Sequence, residues 1–453
     1  MSFLMGLKQA YFALRDQIRF AWAQYQYSYE PQGQVEHFNW DNMKHIVVLK
    51  LDGKLGDTQV MTHFYRNLKN LAHKPTLTVV CPENLASVYY DVLGFDQVLV
   101  SSRKPKAQEI KNLCQQIIAA SQGAGNNGKI DLVLSTEPNY RPRDFIFNYL
   151  LKPDFIVGCD PKVKSINLFL YHPTTYNHPV SQAFCNLMEK GHLAYSTPVS
   201  YTPLFTKDSL SQALAYLRPK ASMSSSAIAL EGAVASPEGL VPSQGAGSAM
   251  VAGSTQGAGS SQGLSQSQDT GSDLVPVAKS SRFDDGFFVF GLNPLGAPKA
   301  RRMSVATSVA LANAVLQSAS NTKVLLMCQS SFSDYIKSVM NNIDPALLYD
   351  ELGEARVLPM PDNTSVLDLG ALIHCIDALI TVDTATVHLA CASKIPELCF
   401  YNNDNAESCR WAPIGQRAQC VKFADANFGA MDSEPFVVVA NNFIKEQIEL
   451  NKL

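Results

Sequence analysis

The stretch Ala378-Leu-Ile-Thr-Val-Asp-Thr-Ala-Thr-Val-His-Leu-Ala-Cys-Ala-Ser-Lys-Ile-Pro-Glu-Leu-Cys-Phe-Tyr401 reads as strand, turn, helix and strand. Ala378 to Val382 is an apolar run without polar alternation, which suits a strand buried on both faces. Asp383 and Thr384 follow as a polar turn, Thr386 to Ser393 is a small-residue helix, and Leu398-Cys-Phe-Tyr401 is a second apolar strand. Two such strands joined by a helix form a right-handed parallel unit. Asp383 and Thr384 then sit where a strand's carboxyl end meets a helix's amino end, and the free N–H groups and helix dipole there favour an anion such as phosphate. An Asp or Thr at this position also caps a helix without any ligand, so the stretch alone leaves both readings open.

A complementary stretch lies near the other end of the chain. Lys44-His-Ile-Val-Val-Leu-Lys-Leu-Asp52 has the pattern of a buried strand, Gly53-Lys-Leu-Gly-Asp57 is a glycine-containing turn, and residues 58–71 have helical periodicity. This is the first strand-turn-helix of a Rossmann-like domain, with Asp57 at the mouth of the sheet's carboxyl edge, as a ligand-facing group or as a helix cap. The spacing is neither GxGxxG nor GxxxxGK[ST], which disfavours an ordinary dinucleotide or NTP site. Strands at 77–81, 97–100, 130–135 and 155–158 alternate with helices at 84–93, 106–121 and 144–151, the alternation of a parallel doubly wound domain.

The pattern restarts at Phe287-Phe-Val-Phe-Gly-Leu-Asn293, a strand that runs into the loop Pro294-Leu-Gly-Ala-Pro-Lys-Ala-Arg-Arg302 and then a helix at 305–317. The loop's cations, Lys299, Arg301 and Arg302, can neutralise a diphosphate, with Arg giving bidentate contacts, or can simply be solvated. Strands at 323–328 and 356–358 and an amphipathic helix at 365–375 lead back to the opening stretch. The expected architecture is therefore α/β, with two Rossmann-like domains facing a cleft: an amphipathic amino-terminal helix within 1–40, a first domain at 41–218, and a second at 281–453. Between the domains, residues 219–280 are rich in Ser and Gly and nearly without aromatics, a composition that cannot bury enough surface to offset its ordering entropy and predicts a disordered linker.

Composition narrows the function. A 453-residue chain with net charge −3 has no overall basic field, so a nucleic-acid partner is not indicated. Its 10 cysteines fall mostly inside apolar runs, without CxxC or Cys/His metal spacing, and read as reduced core residues of a cytoplasmic protein. No apolar run is long enough to span a bilayer, and no signal peptide is recognisable. The helix expected at 2–22 places Phe, Leu, Tyr and Trp on one side and Lys8, Arg15 and Arg19 among its polar positions, which suits either an anionic membrane face or packing on the domain behind it.

Taken together, Leu51-Asp-Gly-Lys-Leu-Gly-Asp57-Thr, Asn293-Pro with Lys299-Ala-Arg-Arg302, and Asp383-Thr-Ala-Thr-Val-His-Leu-Ala390 resemble the family 9 glycosyltransferases, the ADP-heptose:lipopolysaccharide heptosyltransferases and their relatives. The resemblance implies a GT-B fold, with the acceptor held mainly by the first domain and the nucleotide-sugar donor by the second. It implies that Asp57, beside Gly56, is the general base that deprotonates the acceptor hydroxyl, with Asp52 a second candidate. It places Asn293 and the cations Lys299, Arg301 and Arg302 at the donor phosphates without distinguishing among the three cations, and Asp383, Thr384, Ala385, Thr386 and His388 in the donor-binding turn. His388 is expected to bind rather than catalyse. Cationic stabilisation of the leaving diphosphate would need no metal, in keeping with the lack of an Asp-x-Asp motif, and no cofactor is expected. The implied activity is inverting transfer of heptose or a related sugar from an ADP-heptose-like donor to a lipid A-core acceptor. The implied location is the cytoplasmic face of the inner membrane, with peripheral contact through the first helix. The alternatives are a degenerate GT-B protein that binds a nucleotide or glycan without catalysis, and a nucleotide-sugar epimerase. Two departures bear on specificity: Ala385 stands where the family commonly has glycine, and Cys328-Gln-Ser-Ser-Phe332 stands where it has a glycine and an acid near the nucleoside.

Overall fold

The computed structural model describes residues 2–219, 283, 286–403, 405–424 and 426–451. The Ser/Gly-rich stretch at 219–280, expected to be a disordered linker, lies outside these residues except for Pro219.

The inner apolar runs become strands buried along their length, because helices cover both sides of a parallel sheet. In the first half β1 (His45–Leu49), β2 (Thr76–Cys81), β3 (Gln97–Val100), β4 (Leu132–Ser135), β5 (Phe155–Gly158) and β6 (Leu168–Phe169) form one parallel sheet in the order β3-β2-β1-β4-β5-β6. β1 is buried along its length, paired with β2 from His45 opposite Thr76 and with β4 from Ile46 opposite Leu132. In the second half β7 (Phe288–Asn293), β8 (Thr322–Leu326), β9 (Val357–Pro359), β10 (Ala378–Val382), β11 (Glu397–Tyr401) and β12 (Ala418–Lys422) form a second parallel sheet, ordered β12-β11-β10-β7-β8-β9. The winding is the same in both. Each sheet reverses direction between its first and fourth strands, β1 with β4 and β7 with β10, and such a reversal opens a ligand crevice at the strands' carboxyl ends.

The helix Leu55–Lys69 leaves the carboxyl end of β1, the helix Ala385–Ser393 leaves that of β10, and the two helices pack against each other. The carboxyl edges of the sheets are therefore turned toward one another. This is the GT-B arrangement that the resemblance implied.

Three details differ from the expectations. The helix after β1 starts at Leu55 rather than at position 58, because Lys54 takes an extended conformation as its N-cap and donates its N–H to Asp52 Oδ1 at 3.2 Å. Asp57 thus lies in the helix's first turn, where an acid complements the dipole. The amino-terminal helix fills only Ser2–Gln26 of the segment 1–40, the rest forming extended chain and short turns at Val35–His37 and Trp40–Asn42. The helix Lys207–Leu217, counted above with the first domain, packs on the second-domain helix Val366–His374. Phe205 sits 4.6 Å from His374, and Tyr216 donates to the carbonyl of Pro359. The buried Arg218 donates to the carbonyls of Cys375 (3.0 Å) and Phe287 (3.2 Å), pairs with Asp377 and stacks on Phe283. The chain therefore crosses from one body to the other before position 207.

Gly370 marks how close that crossing lies, since a Cβ there would run into the backbone carbonyl of Leu204. Gly370→Ala should destabilise the protein by about 1–3 kcal/mol through overpacking, in spite of the helix-propensity gain of about 1 kcal/mol. Denaturant unfolding checks this.

Candidate active site at the two switch points

At the first switch point, β1 is followed by Lys50, whose side chain is wholly buried. Its ammonium lies 2.8 Å from Asp52 Oδ1 and 3.5 Å from Asp57 Oδ2, and the exposed Lys54 stands 4.0 Å from Asp57. Burial tends to discharge an ammonium, but the two carboxylates outweigh that and hold Lys50 above its ordinary range. Asp52 takes the closer contact and the Lys54 N–H, and its pKa falls below the usual value even though burial opposes this. Asp57 moves the other way: desolvation raises its pKa, Lys50 and Lys54 pull it down, and Asp52 pushes it up. Two neighbouring carboxylates whose environments separate them in this way are suited to different tasks, Asp52 as a standing anion and Asp57 as the proton acceptor. Across the reversal, the hydroxyls of Ser135 and Thr136 at the end of β4 are buried without a hydrogen-bond partner.

At the second switch point, Asn293 closes β7 and donates its side-chain amide toward the hydroxyls of Thr381 (3.1 Å), Thr384 (2.9 Å) and Thr386 (2.9 Å). The amide has two hydrogens, so the three contacts share them. The hydroxyl hydrogens can then be assigned by elimination. Thr381 donates to the Val382 carbonyl at 2.8 Å, Thr386 then donates to Thr381 (2.8 Å), and Thr384 donates to Thr386 (2.7 Å). All three hydroxyl hydrogens are then engaged within the cluster. Thr384 is also the N-cap of Ala385–Ser393 without using its side chain to cap it, which leaves that N-terminus open. Thr384→Val removes a hydroxyl held by Asn293 and Thr386 and should therefore destabilise the protein by about 1 kcal/mol. Denaturant unfolding reads this.

The structure separates the three cations that the sequence left equivalent. Arg301 turns inward, with Nη1 at 2.7 Å from Asp383 Oδ2 and Nε donating to Asn402 Oδ1 at 3.1 Å. Arg302 donates to the carbonyls of Gly296 and Ala297 and lies 5.0 Å over the ring of Phe332, within the stretch that departs from the family pattern. Lys299 is exposed and makes no ion pair among the described residues. Burial pushes the Asp383 carboxyl up to about 6 against the pull of Arg301. Burial pushes His388 down to about 4, so its imidazole is neutral at physiological pH and serves as a packed group between Tyr201 and Trp411.

The two sites meet at Gly56. A Cβ on Gly56 would stand 3.2 Å from His388 Cδ2 and 3.3 Å from Ala385 Cα, so the helix bearing Asp57 rests directly on the turn Asp383–His388. Sequence reasoning missed Lys50, Thr381 and Asn402. A lone lysine inside an apolar strand signals a buried cation with partners, but Thr381 and Asn402 carry no such mark. Among the described residues, no three His, Cys, Asp or Glu side chains are grouped to hold a metal ion.

Residues 311–434, which include this turn, match the family model of glycosyltransferase family 9 (heptosyltransferase). That stretch is similar to the family 9 glycosyltransferases. Similar solved structures include a family 9 glycosyl transferase from Veillonella parvula, 14% identical with a TM-score of 0.58 over 90% of this chain and 99% of that one. The E. coli ADP-heptose lps heptosyltransferase II is 11% identical, with a TM-score of 0.58 over 89% and 99%. E. coli heptosyltransferase WaaC with ADP is 12% identical, with a TM-score of 0.54 over 89% and 99%. At these identities the likeness is one of fold. No curated protein matches the chain in sequence.

Proposed function

We propose that the protein is an inverting glycosyltransferase that moves a sugar, heptose or a close relative, from a nucleoside-diphosphate donor to a hydroxyl of a lipopolysaccharide or lipooligosaccharide core. The observation that supports this best is the close approach of Gly56 to Ala385 and His388, which brings the first turn of the helix bearing Asp57 against the start of the helix Ala385–Ser393. In this scheme Asp57 accepts the acceptor's hydroxyl proton while the oxygen attacks the anomeric carbon, and the bond to the diphosphate breaks with its electron pair going to the leaving phosphate. The N–H groups opening Ala385–Ser393 and the side chain of Lys299 then meet the growing charge. Arg301 would hold the Asp383 turn in place. Cations rather than a metal would stabilise the leaving group. A lipid-anchored core glycan would be met at the cytoplasmic face of the inner membrane.

The first test is thermal shift with ADP, UDP, GDP and CMP. A ligand that binds only the folded protein stabilises it by about 2.7 kcal/mol at a hundredfold excess over its dissociation constant. A selective rise with ADP supports an ADP-heptose-like donor, whereas a rise with UDP or GDP keeps the mechanism and changes the sugar. Silence with all four removes the donor site. Conversion of the donor without acceptor would instead favour an epimerase.

A further inference from the structure

The helix Ser2–Gln26 is held to the first domain only near its end: Ala23 is fully buried, Phe20 lies edge-on to Phe145 at 5.2 Å, and Gln24 donates to the Lys162 carbonyl. On its other side Leu7, Tyr11, Leu14, Ile18, Trp22 and Tyr25 recur at helical spacings of three and four, and all six are more than half exposed. Soluble monomers rarely leave so continuous an apolar stripe in water. At 100° per residue the stripe faces away from Phe20 and Ala23, so the domain cannot cover it. Lys8, Arg15 and Arg19 line one flank of the stripe, and the helix carries a single acid, Asp16, which is engaged by Arg15 at 2.7 Å.

We infer that this helix lies in the plane of an anionic bilayer, with the stripe at the acyl boundary and the three cations at headgroup phosphates. Charge disfavours a second copy of the helix, since in an antiparallel pair two such flanks would meet cation to cation, and in a parallel pair the facing flank offers no acid to them. Trp22, Tyr11 and Tyr25 have the half-polar rings that settle at the boundary of apolar and wet phases. The exposed Lys162 and Lys164 add positive charge beside the helix's docked end. The helix thereby fixes the first domain to a lipid surface independently of the sugar chemistry.

The test is co-sedimentation of the full chain with vesicles of phosphatidylcholine alone and of an equimolar mixture with phosphatidylglycerol. Binding is expected to the mixed vesicles, with a blue shift of Trp22 fluorescence that Trp22→Phe removes. Combined Lys8→Gln, Arg15→Gln and Arg19→Gln should weaken partitioning about fivefold for each cation, and so about a hundredfold together. Combined Leu14→Asp and Ile18→Asp should abolish it, and because these side chains are exposed neither variant should change the melting temperature. Equal or absent binding of the unaltered chain to the two vesicles overturns the inference. So does a dimer in solution that the Asp variant dissolves without any vesicle binding. The vesicles hold no glycan and no turnover is read, so this result and the transferase assay fail separately.

Discussion

Asp57→Asn is expected to lower kcat by about 10²–10⁴-fold, the typical contribution of a positioned general base. The amide has almost the same volume as the carboxylate but cannot take the acceptor's proton. The fold should survive, because Lys50 keeps its closer contact with Asp52 at 2.8 Å. ADP affinity should change little, since the open helix N-terminus at Thr384 belongs to the other domain. The decisive comparison is single-turnover rate against ADP binding in the same preparation. A rate within tenfold of the unaltered protein, with binding intact, would exclude Asp57 as the base and leave Asp52 to be tested.

The second large effect is expected at Lys50. Replacing it with Met leaves the carboxyls of Asp52 and Asp57 without the buried cation they share, and breaking such a buried group typically destabilises a protein by about 3–5 kcal/mol. Its consequence for pH dependence has a definite sign. Lys50 is the largest influence lowering the Asp57 pKa, while burial and Asp52 raise it. Without Lys50 the acid limb of kcat/KM against pH must therefore move to higher pH, because Asp57 stays protonated, and unable to act as a base, over a wider range. Lys50→Arg keeps the charge and should leave the limb nearer its original place. A limb unmoved in Lys50→Met would mean that a different group titrates there. These profiles are read at temperatures well below the melting point of each variant.

Most of the fold was legible because its signals are local. Ile46 to Leu49 and Ala378 to Val382 are apolar on both faces, which only a covered parallel strand can use, and both became inner strands at a sheet reversal. The helix start at Leu55 was less legible, because Gly53 and Gly56 both resemble turn residues and only the Asp52 contact with the Lys54 N–H shows where the turn ends. The path of Lys207–Leu217 was not legible at all. Its amphipathic face fits either body, and the contacts of Leu204 with Gly370, Phe205 with His374 and Tyr216 with Pro359, pairs far apart in sequence, make the choice.

The same division holds at the candidate site. The sequence alone determined which groups stand at strand ends: Asp57 after β1, Asn293 at the end of β7, and Asp383 to His388 after β10, since glycine turns, apolar runs and polar breaks are short-range patterns. Only the tertiary structure decided their states. It set Lys50 between two carboxylates so that their proton affinities diverge, drew Arg301 to Asp383 while Arg302 turned to Phe332, and gathered the hydroxyls of Thr381, Thr384 and Thr386 around one amide. The reason is physical: charge state and hydrogen-bond direction depend on burial and on neighbours brought from distant parts of the chain, and no local pattern records either.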